Sequence, residues 1–288
     1  MNQISNTQNL TPKIIDTHSH LNFNAFKNDS DEVIKKTSSC NIWMINVGTK
    51  YETSKKAVEI AKNYKEGIYS AVGLHPIYAA AEFVKMRTDP DEGEFLIKEQ
   101  DFDKEKYKNL ALSDSRRVVA IGEIGLDYYY KPKTTAKLEQ FKEKQKKVFL
   151  EQLDLAKELN LPVILHCRMA HDDVIEILQS RNEKRGVIHC FTGTLEQAQK
   201  YVVMGFYIGI NGIIFKLPLD EIIKNISLDN ILVETDCPYL TPPMAEEKRN
   251  QPIFIKHTIQ KIADLKNMSF EEVCEKTSTN AKKLFNLK

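Results

Sequence analysis

Residues 118–123 read VVAIGE, residues 135–160 read TAKLEQFKEKQKKVFLEQLDLAKELN, and residues 162–166 read PVILH. The first and third are short, continuously apolar and rich in β-branched side chains, as strands buried on both faces of a parallel sheet are. Between them Leu138, Phe141, Val148, Phe149, Leu153, Ala156 and Leu159 recur close to a 3.6-residue period, which marks an amphipathic helix. Leu161-Pro162 ends that helix and opens the next strand. This strand–helix–strand unit repeats along the chain, with further apolar runs at 13–16, 41–47, 68–74, 187–190, 206–210 and 231–234. Eight strands with helices between them predict an α/β chain folded as one (β/α)8 TIM barrel, a size that 288 residues suit. A doubly wound open sheet is the alternative, because pattern alone does not show closure.

Composition narrows the function classes. Forty-one Lys and Arg face 40 Asp and Glu, a net charge of +1. That balance excludes polyanion binding by bulk basicity, so any nucleic acid must be held in a local groove. No run approaches the ~18–20 apolar residues of a membrane helix. The start has no basic segment followed by an apolar one, so no secretory signal is read there. The five cysteines, Cys40, Cys167, Cys190, Cys237 and Cys274, form no CxxC pair, and reduced thiols in a cytoplasmic protein are expected. Residues 1–12 read as a loosely attached or disordered extension, and 13–288 as the barrel. Within it, 81–117 is a long, charged connection between the third and fourth strands, with a helix expected near 101–112.

The chemistry-bearing residues gather at one kind of place. Asp16-Thr17-His18-Ser19-His20 closes the first predicted strand, and side chains two apart on a strand share a face. His75 ends the third strand, Glu123 the fourth, His166 the fifth and His189 the sixth, while Asp236 follows the eighth. Five of the seven histidines therefore lie at C-terminal strand ends, where barrel active sites are built. Alone, each is a satisfied polar residue or a helix cap; together they form a ligand set. Neutral imidazoles suit Zn, Mn, Co, Ni or Fe, and a carboxylate can bridge two ions. Even with His75 left out of the count, four imidazoles and two carboxylates exceed what one tetrahedral zinc needs, which predicts a hydrolytic centre with two divalent ions.

In order, the segments DTHSH, GLHP, AIGEIGLDYY, LHCR, IHCF and ETDCPYLTP make the chain resemble the TatD family of metal-dependent deoxyribonucleases, within the amidohydrolase superfamily. The likeness runs from about Ile14 through TSTNAKKLF at 277–285. It implies that His18, His20, Glu123 and Asp236 hold one ion, and that Glu123, His166 and His189 hold the second. Glu123 would be the bridge, in place of the carboxylated lysine of other amidohydrolases. The ions implied are Zn, Mn, Mg, Co or Ni. Two departures stand out: Arg249-Asn250-Gln251-Pro252 replaces the usual Asn-Glu-Pro, and 81–117 is longer than the family's typical connection.

The expected activity is hydrolysis of phosphodiester bonds in DNA, single-stranded or at ends, in exonuclease fashion. A bound ion lowers the pKa of its water so that hydroxide attacks phosphorus. Asp236 is the expected general base, with Glu123 the second catalytic carboxylate. Arg168, two beyond His166, and His75 are read as substrate-binding, gripping a phosphate that a neutral carbonyl substrate lacks. Pairing of Arg168 with Asp172 or Asp173 is the alternative. The other activity this centre allows is attack on a carbonyl, in a small amide or lactone or in aminoacyl-tRNA; a non-catalytic scaffold would be expected to have lost ligands. Tyr128-Tyr129-Tyr130 either stack on bases or cover the rim. Lys131, Lys133, Lys137, Lys142, Lys144, Lys146 and Lys147 alternate with acids and read as a solvated helix face. Cys167, Cys190 and Cys237, each beside a candidate ligand, are expected to face the helix layer.

Overall fold

The structure, a computed structural model, describes residues 14–84, 91–92 and 100–288. Its strands are β1 Ile14–Ser19, β2 Ile42–Val47, β3 Ile68–Val72, β4 Val118–Asp127, β5 Val163–Arg168, β6 Gly186–Ile188, β7 Tyr207–Ile210 and β8 Ile231–Val233. They pair in chain order, every neighbour parallel. The helices are α1 Ser30–Ser39, α2 Tyr51–Lys62, α3 Pro76–Ala79, α4 Lys104–Leu112, α5 Thr135–Leu159, α6 His171–Arg181, α7 Leu195–Val203, α8 Asp220–Asn225, α9 Ile255–Lys266 and α10 Phe270–Phe285. The barrel is joined at β8 and β1 mainly beyond β8 itself. Ser19 bridges Cys237 in parallel, Asp236 N–H donates to the His18 carbonyl (2.8 Å), and His20 N–H to that of Cys237 (2.9 Å).

Two apolar layers follow from alternation along the strands. Ile15, Val119, Ile164 and Val187 pack together with Leu284 and Phe285 of α10, while Val163, Leu165 and Cys167 pack with the helices. His166 therefore keeps the inward parity of Ile164, and His189 that of Val187. In β1 and β4 the register shifts, between Asp16 and Ser19 and between Ile121 and Ile124. The β1 shift changes the parity, so that His18 and His20 take the inward face that Ile15 holds lower down, while in β4 Glu123 reaches the mouth on the inward face that Val119, four residues earlier, holds lower down. Irregularities of this kind commonly re-aim side chains at active sites.

The ends of several strands differ from the sequence expectation. β4 and β5 run on to Asp127 and Arg168, because ladder bonds continue past the apolar run. β6 and β8 stop early, at Ile188 and Val233, leaving His189 and Glu234 just outside the ladder. The helix expected near 101–112 is α4, started by Asp103, whose carboxylate accepts the Lys106 N–H (3.0 Å). The expected extension at 1–12 lies outside the described residues, as do 85–90 and 93–99 of the connection. Of that connection, Asp91 accepts a bond from Ala25 N–H (2.8 Å), and Glu92 one from the Thr49 hydroxyl (2.5 Å).

Candidate active site

All the predicted ligands meet at the C-terminal mouth, five of them lining a cleft of about 1360 Å³. His18 Nε2 and His20 Nε2 face one another at 3.1 Å. Asp236 Oδ1 lies 3.3 Å from His20 Nε2 and 3.9 Å from His18 Nε2, and Glu123 Oε2 lies 3.5 Å from His18 Nε2. On the other oxygen of Glu123, Oε1 is 2.8 Å from His166 Nδ1, 3.6 Å from His75 Nε2 and 3.9 Å from His189 Nε2. One carboxylate thus touches both halves of the donor set, the disposition a bridge requires. Two tight groups result, His18–His20–Asp236 and His75–Glu123–His166, with His189 between them, 3.7 Å from Asp236.

Hydrogen bonds decide which ring nitrogens offer lone pairs. His20 Nδ1 sits 2.9 Å from the Val47 carbonyl, which only accepts, so the proton is on Nδ1 and Nε2 is free to ligate. His189 Nδ1 lies 2.8 Å from Glu234 Oε1 as an ion pair, short of hydrogen-bond geometry, and this pairing turns Nε2 toward the centre. His75 is the reverse. Its Nδ1 accepts the Ile77 N–H (3.1 Å), so a neutral His75 carries its proton on Nε2. It faces the centre as a donor, which suits a substrate contact better than a metal bond. Burial, reinforced by the charge of His166, pushes His75 down to about 3, keeping it neutral.

The charges complete the picture. Burial works against Glu123 and Asp236 as anions, yet the surrounding imidazoles hold both below the ordinary carboxylate range. His18 is pushed down by burial and by His189. His166 and His189 are pushed up, against burial, to about 9 and about 10 by carboxylates on both ring nitrogens. Ionised carboxylates around closely opposed imidazoles form a donor set that divalent cations fit, since a cation replaces the protons on His166 and His189.

Two residues of this site were not singled out from sequence. Asp127 Oδ2 lies 3.0 Å from His166 Nε2, and Glu234 holds His189 while also accepting the Cys190 N–H (2.7 Å) and the Asn211 amide (3.1 Å). Orienting carboxylates of this sort fix the tautomer of a metal-bound histidine. A Cβ on Gly209 would come within 2.7 Å of Glu234 Oε2, so glycine there makes room for it.

Arg168 reaches the cleft rim and stacks over Tyr129, 3.6 Å from the ring centroid. Its expected alternative partners are engaged elsewhere: Asp172 accepts from Gln197 (2.9 Å), and Asp173 binds Lys146 (2.8 Å) and the Tyr128 hydroxyl (2.8 Å). Lys144 likewise pairs with Glu82, as expected of a solvated helix face. Arg249 is consumed by Asp29 and the Phe26 ring, Asn250 braces the Asp236 loop through the Thr235 carbonyl (2.9 Å), and Gln251 pairs with Glu247 (2.5 Å). Cys167 and Cys237 face the helix layer as expected, but Cys190 does not. The β6 ladder has ended and Cys190 turns left-handed at φ 45°, so its thiol lines the cleft near His189 and Asp236.

Comparison with known proteins agrees with this geometry. The family profile described as "TatD related DNase" matches residues 15–286. The chain belongs to the TatD family of metal-dependent hydrolases. It is 38% identical to the uncharacterized metal-dependent hydrolase YabD of Bacillus subtilis, over 95% of this chain and 99% of that one. With the 3'-5' ssDNA/RNA exonuclease TatD of Erwinia tasmaniensis it shares 34% identity, over 91% and 95%. The crystal structure of YjjV, a TatD homologue from Escherichia coli, superposes with a TM-score of 0.79 at 29% identity, covering 97% of this chain and 100% of that one. Among the described residues of this TatD-family chain, no helix is long and apolar enough to cross a membrane.

Proposed function

We propose that this chain is a nuclease that hydrolyses phosphodiester bonds of single-stranded DNA from an end. One divalent ion would be held by His18, His20, Glu123 and Asp236, and the other by Glu123, His166 and His189. Arg168 carries the reading: it is a cation on the rim of this centre, with no carboxylate partner among the described residues. A phosphodiester needs such a group and a neutral amide or lactone does not. The relatives named as single-strand exonucleases support the same choice. When bound, such ions make a coordinated water more acidic and offset charge on phosphoryl oxygens.

The side chains supply the rest. Asp236, ionised and open to the cleft, takes the proton of the attacking water. His75 donates its Nε2–H to a non-bridging oxygen of the phosphate. Arg168 supplies guanidinium N–H groups to the same anion. Asp127 and Glu234 keep His166 and His189 in position.

The test is to strip the protein with chelator, reload it with Mn or Zn, and offer end-labelled single-stranded DNA alongside a panel of esters and amides. Stepwise shortening of DNA only after reloading is expected, with about two ions per chain by elemental analysis. Turnover of an ester or amide with no action on DNA would overturn the proposal.

A further inference from the structure

The three tyrosines after Asp127 separate into two kinds. Tyr128 is buried, its hydroxyl donating to Asp173 Oδ2 (2.8 Å) and its ring packed near Phe141. Tyr129 and Tyr130 are 47% and 45% exposed, and both line the cleft that holds the candidate ligands. Their rings meet edge to face, 4.8 Å between centroids at 89°, and Arg168 lies over Tyr129. Met169, 63% exposed, adjoins them on the same rim. Apolar residues scattered singly on a surface need no explanation. Two adjoining phenol rings and a guanidinium beside a catalytic centre do.

Resting on the nuclease reading, we infer that Tyr129, Tyr130 and Arg168 form a stacking platform for an unpaired base next to the scissile phosphate. Every base has a π-face, so such a platform tolerates any sequence. A base inside a duplex has both faces covered, so the platform selects single strands. The two tasks of Arg168 are compatible. Stacking on Tyr129 uses a face of the guanidinium, whereas a phosphate is bound through its N–H edge.

The experiment uses the metal-loaded protein with a single-stranded oligonucleotide and with the same strand made abasic at each of its terminal positions in turn. Tyr130→Ala is expected to raise KM for the intact strand about ten-fold, the scale of losing one stacked base. It should leave kcat unchanged and leave KM unchanged for the strand abasic at the stacked position. Tyr130→Phe, which keeps the ring, should restore the wild-type KM. In parallel, 2-aminopurine at the end of the strand should lose fluorescence on binding wild type and Tyr130→Phe, and keep it with Tyr130→Ala. An unchanged KM in Tyr130→Ala, or an equal rise on intact and abasic strands, overturns the platform while leaving the nuclease reading standing. If wild type cleaves no strand at all, the nuclease reading falls, and the 2-aminopurine signal then decides the platform alone.

Discussion

Asp236 sits at a positive φ of 58°, its carboxylate shared between His20 and His189. Such a backbone conformation costs a non-glycine residue free energy and is found where a side chain must be aimed. Asp236→Asn keeps an oxygen donor and loses basicity, so kcat is expected to fall by ~10²–10⁴-fold with ions partly retained. Near-full activity of the loaded variant would assign the proton to another group. Glu234 acts one layer further out. Glu234→Gln should weaken ion binding ~10–100-fold by titration, because it loosens the hold on His189 Nδ1; an unchanged affinity would show that Glu234 serves only the fold. The eight site residues chosen from sequence all reach the mouth, because a polar side chain that closes an apolar run lies within a few residues of its strand's C-terminal end, wherever the ladder itself stops. Asp127 and Glu234 were passed over. Asp127 shares the parity of Glu123 at a spacing of four, so that signal was present in the sequence. The role of Glu234 depends on where β8 stops, which the apolar pattern does not mark.

Elements were more legible in kind than in extent. The 3.6-residue period of 135–160 becomes α5 almost residue for residue, since one face of that helix packs on the barrel. Strand ends drifted because ladder bonds do not depend on side-chain polarity: β4 continues through Glu123 to Asp127, and β6 stops short of His189. The misplacement of Cys190 follows, because alternation holds only while the ladder does. Helix ends respond to local chemistry instead. In α10, Ser269 accepts the Glu272 N–H (3.2 Å) and Glu272 Oε2 accepts the Ser269 N–H (2.8 Å), a reciprocal cap. Ser269→Ala should cost about 1 kcal/mol by denaturant unfolding. Activity should stay unchanged, because α10 meets the other end of the barrel. No shift in the midpoint would mean that tertiary packing alone fixes the start of α10.

At the scale of the whole molecule, closure was the feature that strand patterns did not show, and it is made by residues that also build the site. Ser19, Asp236 and Cys237 join the two edges, so folding of the barrel and assembly of the centre are one event. Global stability should therefore report on buried groups near the mouth. His171, at the start of α6, is 6% exposed, and burial holds its ring down to about 4 from an ordinary 6.5. Its Nδ1 sits 3.2 Å from both Cys167 Sγ and the Tyr201 hydroxyl, contacts that suit a neutral ring. Above pH 6.5 the folded and unfolded states are both neutral at this site, and no stability depends on pH. Between 6.5 and 4 the unfolded chain takes up a proton that the folded chain does not, so stability falls as pH falls. The full loss is on the order of 3 kcal/mol, reached near pH 4. His171→Gln retains a hydrogen-bonding side chain that does not titrate. Unfolding of both proteins should be followed in chelator from pH 7 to pH 5, so that ion binding drops out of the comparison. The wild type is expected to lose stability more steeply than the variant, and parallel profiles would show that His171 is protonated as readily in the fold as outside it.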